Sequence, residues 1–202
     1  MLGDLTTTES EWDFAIAPPW PLRRFTVAQY QRLGQVGILM PEDRVELLEG
    51  WIVEKMNHGP LHGYMVRLLD HWLHESLPSD FLVQCQLPIT TERSQLEPDL
   101  AVIRGIHEDF RTRHPFGHEC RLVIEVADSS TKRDEAKVDI YRSGGVQEYW
   151  IFDIPGKSLH RYFFGGVGQT QDKAVFSANE TFSIIIGNTE LTLDLGRIFS
   201  NG

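Results

Sequence analysis

The sequence predicts an α/β (α+β) fold in which a mixed central β-sheet is flanked by helices. Two observations carry this expectation. Helix-type and strand-type segments follow one another as helix, hairpin, helix, strands, helix, strands, an order that packs helices onto a sheet. The run Arg121 to Ala127 (Arg-Leu-Val-Ile-Glu-Val-Ala) is the short apolar stretch of a buried central strand. With 202 residues and 41% hydrophobic content the chain can bury one good core, and nothing divides it into two comparable apolar blocks. Residues 23–202 are therefore expected to form a single domain.

Residues 1–22 contain Thr6-Thr7-Thr8 and Pro18-Pro19 without sustained periodicity, and are expected to be a flexible arm. Val27, Tyr30 and Leu33 then fit a short helix capped by Thr26 and ended at Gly34 or Gly37. Val45 to Leu48 and Trp51 to Glu54 read as strands, joined by the hairpin signal Glu49-Gly50. Tyr64, Leu68, Leu69, Trp72 and Leu73 recur at helical spacing, so a helix is expected over about 61–76, before Pro78.

Phe81 to Ile89 and Asp99 to Ile103 read as extended, and Gly105 to Glu119 as irregular. After the central strand, Thr131-x-x-Asp134 resembles a capping box and Gly144-Gly145 a helix stop. Glu148 to Ile154 and Leu159 to Phe164 read as strands about a Pro155-Gly156 turn, and Thr181 to Ile186 with Glu190 to Leu195 as a last β pair. The glycines 165, 166 and 168 have no following helix or lysine, so a phosphate-binding loop is set aside.

Only two cysteines, Cys85 and Cys120, are present and no N-terminal stretch has the make-up of a signal peptide, so a reducing cytoplasm is expected. No apolar run approaches a membrane span. The formal net charge of −10, from 19 basic and 29 acidic residues, is unlike the basic surface of most phosphate binders. It does not describe local patches, of which Arg111, Arg113 and His114 form one and Lys132 and Arg133 another.

Three ionisable residues fit poorly as scaffold when taken together. Asp99 follows Pro98 and immediately precedes the apolar strand Leu100 to Ile103, Glu125 interrupts the buried strand, and Lys137 lies on the helix after it. Singly, Asp99 suits a turn and Lys137 a solvated helix face. Glu125 is harder to dismiss, because burying an unpaired carboxylate is costly. Two carboxylates at neighbouring strand ends can hold a hard cation such as Mg²⁺ or Mn²⁺, and a nearby ammonium can offset charge developing on a phosphoryl group. His58 and His62 are four apart, a zinc spacing on a helix, but Gly59-Pro60 between them prevents a shared regular helix. Nucleophilic hydrolases are not supported, since neither Gly-x-Ser-x-Gly nor a Cys-His arrangement occurs.

The blocks Glu97-Pro98-Asp99-Leu100-Ala101-Val102, Leu122-Val123-Ile124-Glu125-Val126-Ala127-Asp128-Ser129-Ser130-Thr131, Asp134-x-x-Lys137-x-x-x-Tyr141 and Gly145-Val146-Gln147-Glu148-Tyr149-Trp150 together resemble the Uma-type restriction endonucleases. This family lies within the PD-(D/E)xK nuclease superfamily. Gly37-Ile38-Leu39, Asp43 to Gly50 and His62 at the start of a helix are similar to its leading block. The resemblance covers about residues 25–165. It implies a restriction-endonuclease-like core and a Mg²⁺- or Mn²⁺-dependent endonuclease acting on DNA. Asp99 and Glu125 would be the metal carboxylates, with the Val126 carbonyl as a further ligand. The superfamily lysine position, two after the glutamate, is Ala127, and Lys137 is the substitute from the next helix. Glu46 is the further acidic candidate; His62 and Gln86 are expected at the pocket edge without a catalytic role. Tyr141 and Tyr149-Trp150 are expected in the core, and Asp128-Ser129-Ser130 at the helix cap. By analogy alone, a homodimer is expected. The competing expectations are a catalytically silent nuclease fold kept for binding or regulation, and an RNA nuclease with the same metal chemistry.

Overall fold

The computed structural model describes residues 21–129, 131–165 and 172–200. The expected N-terminal arm lies outside them except for Leu22 and Pro21, as do Gly166 and Gly168 of the glycine loop and Ser130 of the expected cap.

Helix α1 (Val27–Gln35) starts where Thr26 and Gln29 cap each other: the Thr26 hydroxyl accepts from the Gln29 amide and the Gln29 side chain accepts from the Thr26 amide. Strands β1 (Val45–Leu48) and β2 (Trp51–Glu54) form the expected hairpin, with Leu48 opposite Trp51. Its turn places Glu49 and Gly50 at φ of 50° and 85°. A Cβ on Gly50 would also meet Arg24 Cβ at 2.6 Å, so glycine is required there twice over. Helix α2 (Pro60–Ser76) begins with proline in its first turn, where the missing amide costs nothing.

Strand β3 (Phe81–Cys85) stops short of the expected Ile89, because Gln86 turns left-handed at φ 48°. The chain resumes as β4 (Ile89–Thr90) and returns as β5 (Gln95–Leu96), making a small sheet ordered β2-β1-β5-β4. Strands β6 (Leu100–Arg104) and β7 (Cys120–Ala127) flank a stretch broken by 3₁₀ turns at His107–Phe110 and Gly117–Glu119. The helix expected after β7 is split into α3 (Lys132–Glu135) and α4 (Val138–Ser143). Thr131 caps nothing: its backbone is already helical (φ −74°, ψ −14°), whereas a capping side chain needs an extended residue. Gly145, at φ 86°, stops α4.

Strands β8 (Glu148–Asp153), β9 (Ser158–Phe163) and β10 (Asp172–Ser177) complete a main sheet ordered β10-β9-β8-β7-β6-β3. Its pairs are antiparallel except β7 with β8, so α3 and α4 form the crossover that a parallel pair demands. The hairpin β11 (Thr181–Ile186) and β12 (Thr189–Asp194) and a short α5 (Leu195–Phe199), capped by Asp194, close the chain. Strand β10 and helix α5 were not expected.

Side-chain alternation along β7 assigns the two faces. Leu122, Ile124 and Val126 pack with Met65, Val66, Leu69 and Leu73 of α2 and with β11, β12 and α5. Val123 and Ala127 pack on the other face with Ile140 and Tyr141 of α4. The mixed sheet is thus flanked by helices, as expected, and Glu125 shares the face of Val123 and Ala127. Among the described residues no helix is long and apolar enough to cross a membrane.

Candidate active site

Strand parity decides what Glu125 meets. It points toward α4, and there Lys137 Nζ and Tyr141 OH both donate to its Oε1 at 2.9 Å. The split of the helix does not separate these residues, since Lys137 ends the turn before α4 and Tyr141 lies one helical turn on. Lys137 Nζ also reaches Glu46 Oε1 at 3.2 Å, so the hairpin β1-β2 contributes the fourth expected residue. Asp99 sits at the head of β6, and its amide donates to Glu125 Oε2 at 3.3 Å. Glu46, Asp99, Glu125 and Lys137 are 2%, 5%, 5% and 7% exposed. They lie at the floor of a pocket of about 280 Å³ that Val126, Asp134, His58, Gln86 and Arg133 also line.

Asp99 is held from three sides. His62 Nε2 lies 3.0 Å from Oδ2, the Val126 amide donates to Oδ2 at 2.8 Å, and Gln86 Nε2 donates to Oδ1 at 3.4 Å. Burial pushes the Asp99 carboxyl up, but these donors and the nearby imidazole outweigh it and hold the group below its ordinary value. Glu125 is different. Burial drives it upward, Lys137 opposes, and the carboxylates of Asp99, Asp134 and Glu46 add to the rise, which carries it to about 8. Asp134 is raised to about 6, first by burial and against the pull of Lys137. Burial lowers Lys137, yet Glu125, Glu46 and Asp134 overcome this, so the ammonium stays charged. Three carboxylates thus act on one buried ammonium, with Asp99 beside Glu125.

Excess negative charge walled by oxygen donors is the environment of a hard divalent cation. Glu125 accepts three hydrogen bonds here, leaving acceptor capacity among the roughly four lone-pair sites of a carboxylate. A second group, His58, His62 and Asp99, brings ligand atoms within 4.8 Å of one another. Its two rings are nearly parallel, 14° apart with centroids at 3.7 Å. Imidazole lone pairs lie in the ring plane, so these two do not converge on one ion as they stand.

His62 was expected at the pocket edge; it is buried and bonded to Asp99. The signal was present in the periodicity, because His62 occupies the stripe of Met65, Val66, Leu69 and Leu73, a polar residue on the apolar face of α2. Gln86 is at the pocket edge as expected. Asp134, expected as the acidic member of a capping box, lines the pocket instead. Asp128 does not cap α3; its carboxylate accepts from the Gly59 amide at 3.1 Å, beside His58. Tyr141 and Tyr149-Trp150 are core residues, as expected.

A family model described as "Putative restriction endonuclease", Uma2, matches residues 27–195. The chain belongs to the Uma2 family. Its fold is similar to the crystal structure of "a putative nuclease belonging to DUF820" from Anabaena variabilis, with a TM-score of 0.70 and 16% identity, covering 87% of this chain and 98% of that one. No curated protein matches. Family and fold together support a nuclease. In this Uma2 chain the strand position two after Glu125 is Ala127, and the ammonium beside the carboxylates comes from the crossover.

Proposed function

We propose that this Uma2 protein is a divalent-metal-dependent nuclease that hydrolyses phosphodiester bonds, with DNA cut internally as its reaction. The observation that carries this is the cluster of buried Glu46, Asp99 and Glu125 and half-buried Asp134 at Lys137, a charge excess that a cation would relieve. The donor set is oxygen and fits Mg²⁺ or Mn²⁺. Asp99 and Glu125, with the Val126 carbonyl, would hold the ion, and Glu46 would support Lys137. When bound, the ion supplies Lewis acidity toward the phosphoryl oxygen and the attacking water.

The chain's own residues do the rest. Tyr141 and Lys137 fix one oxygen of Glu125 and leave the other turned toward Asp99. His62 and the Val126 amide fix Asp99. The Lys137 ammonium orients the incoming water and offsets charge on the phosphoryl oxygens as water bonds to phosphorus and the bond to the leaving oxygen breaks. We take the working form to be a cytoplasmic homodimer, each chain acting as one domain over residues 23–202, by analogy with other nucleases that work as symmetric pairs. A silent nuclease fold is the competing reading, and the intact Lys137–Glu125 pair counts against it.

The test is titration calorimetry of Mn²⁺ and Mg²⁺ into wild type and Glu125→Gln, repeated with DNA present, followed by cleavage of labelled DNA and RNA. Ion binding and DNA cleavage that are both lost in the variant support the proposal. Full cleavage by Glu125→Gln would remove the mechanism, and no ion bound by either protein would leave the silent fold.

A further inference from the structure

We propose that the groove between α1 and the 110–116 segment is the path by which a single nucleic-acid strand enters the carboxylate pocket, so that the protein takes unpaired strands in preference to duplex. This rests on the nuclease reading for its direction, but strand binding can be measured separately from catalysis. The groove has a volume of about 1030 Å³ and adjoins the 280 Å³ pocket, with which it shares Pro41, Arg44 and Glu97.

Its charge contrasts with that of the chain. Against a net −10 for the whole sequence, the charged residues lining the groove are Arg44, Arg111, Arg113 and Glu97; Glu97 is paired with Lys55 at 2.6 Å and Arg113 with Glu119 at 2.7 Å, which leaves Arg44 and Arg111 as the available cations. Among the described residues, Arg44 is tied only to neutral groups, the Asn57 side chain and the Met56 carbonyl, so its charge remains available. Among the described residues, the exposed guanidinium of Arg111 has no hydrogen-bond or ion-pair partner. The wall formed by α1 contributes no charge: its lining residues are Val27, Ala28, Tyr30, Gln31, Gly34 and Gln35.

The preference for an unpaired strand comes from what lies between the charges. Arg113, held flat by two 2.7 Å bonds to Glu119, spans the rings of Phe110 and Phe116 at 5.2 and 5.1 Å. Phe116 also stacks on His118, with centroids 5.7 Å apart, and is nevertheless 41% exposed on the groove wall. Phosphate-matching cations and a partly exposed aromatic ring in one cavity suit a strand whose bases are unstacked; a duplex turns its phosphates outward and hides its base faces. The carboxylates of Glu46, Asp99 and Glu125 are also nearly fully buried in their recess, which a flexible strand enters and a stiff duplex reaches only by being deformed.

The test is fluorescence anisotropy of a labelled oligonucleotide of about 15 nucleotides, unpaired or as a duplex of the same sequence, with the full chain in chelator so that no cleavage occurs. The proteins are wild type, Arg111→Ala, Phe116→Ala and, as a control on α5, Arg197→Ala, each checked for an unchanged melting temperature. Wild type is expected to hold the unpaired strand about tenfold more tightly than duplex. Arg111→Ala should lower the slope of log affinity against log salt by about 0.7, the value for one phosphate contact on a single strand. Phe116→Ala should weaken binding about fivefold, as expected for one lost stacking surface, and Arg197→Ala should change nothing. Equal or tighter binding of duplex, no binding at all, or groove variants that behave as wild type would each overturn the proposal. Strand binding without any ion binding or cleavage would leave the groove standing and remove the nuclease reading instead.

Discussion

Lys137 Nζ lies 2.9 Å from Glu125 Oε1 although the two residues are 12 positions apart and on different elements. Ala127, on the same face of β7 as Glu125, is the position from which the superfamily pattern would deliver that ammonium. If the charge matters and its origin does not, the two positions are interchangeable. Lys137→Ala is expected to slow cleavage by about 10² to 10³, the usual loss for one transition-state charge partner, with a smaller effect on Mn²⁺ affinity. Adding Ala127→Lys to that variant should recover at least about tenfold of the loss. Single-turnover cleavage with the ion present measures both.

His62 is the second lever on the site. Removing its bond to the Asp99 carboxylate in His62→Ala should destabilise the fold by about 2 kcal/mol, as for a hydrogen bond to a charged group. It also removes a donor that holds Asp99 low, so the acid limb of the cleavage rate should move to higher pH. His62→Gln, whose amide nitrogen can occupy the place of Nε2, should restore the limb. A profile unmoved by either variant would assign His62 to packing alone.

The raised carboxylates make stability depend on pH. Glu125 rises from an ordinary 4.5 to about 8 and Asp134 from 3.8 to about 6 on folding. The folded, ion-free protein therefore keeps protons that the unfolded chain has released. That contribution is complete below about pH 4 and is lost as pH rises through 6 and then 8. Asp99 is lowered, so its contribution is lost only at acid pH, outside this window. The melting temperature in chelator should fall from pH 6 to 9, and Glu125→Gln should flatten the fall. With Mg²⁺ at about 100 times its dissociation constant the trend should reverse, because the ion binds the deprotonated form, and stabilisation of about 2.7 kcal/mol should appear at the alkaline end.

Glu148 separates burial from function. It is fully buried on β8, where Arg121 and Arg161 reach it at 3.1 and 2.6 Å and Trp150 Nε1 donates to it at 2.9 Å. Glu148→Ala strands these groups and should cost about 3 kcal/mol of stability without altering the cleavage rate of the folded fraction. Chemical denaturation with parallel activity assays tests this.

What the sequence disclosed followed the range of each signal. The Thr26 cap, the Glu49-Gly50 turn and the α2 stripe are set by neighbours within one turn, and each formed as expected. Glu125 was visible because a charge in an apolar strand conflicts with its surroundings. Thr131 misled because its residue pattern suits a cap while the chain enters it already helical. Strand β10 escaped notice because its residues alternate between exposed and half-buried at a sheet edge. The contacts of His62 with Asp99 and of Asp134 with the pocket join residues far apart in sequence, and local pattern holds no information on such distances.

The parallel pairing of β7 with β8 obliges the chain to cross over between them, and the same crossover delivers Lys137. Losing one residue between β7 and α4 would turn the helix by about 100° and swing the ammonium away, while every strand register stayed intact. A change in segment length, without any substitution at a charged residue, would thus be enough to remove the proposed activity and spare the architecture. Descendants of this chain could in that way drift from cutting to mere holding through the phase of one short helix.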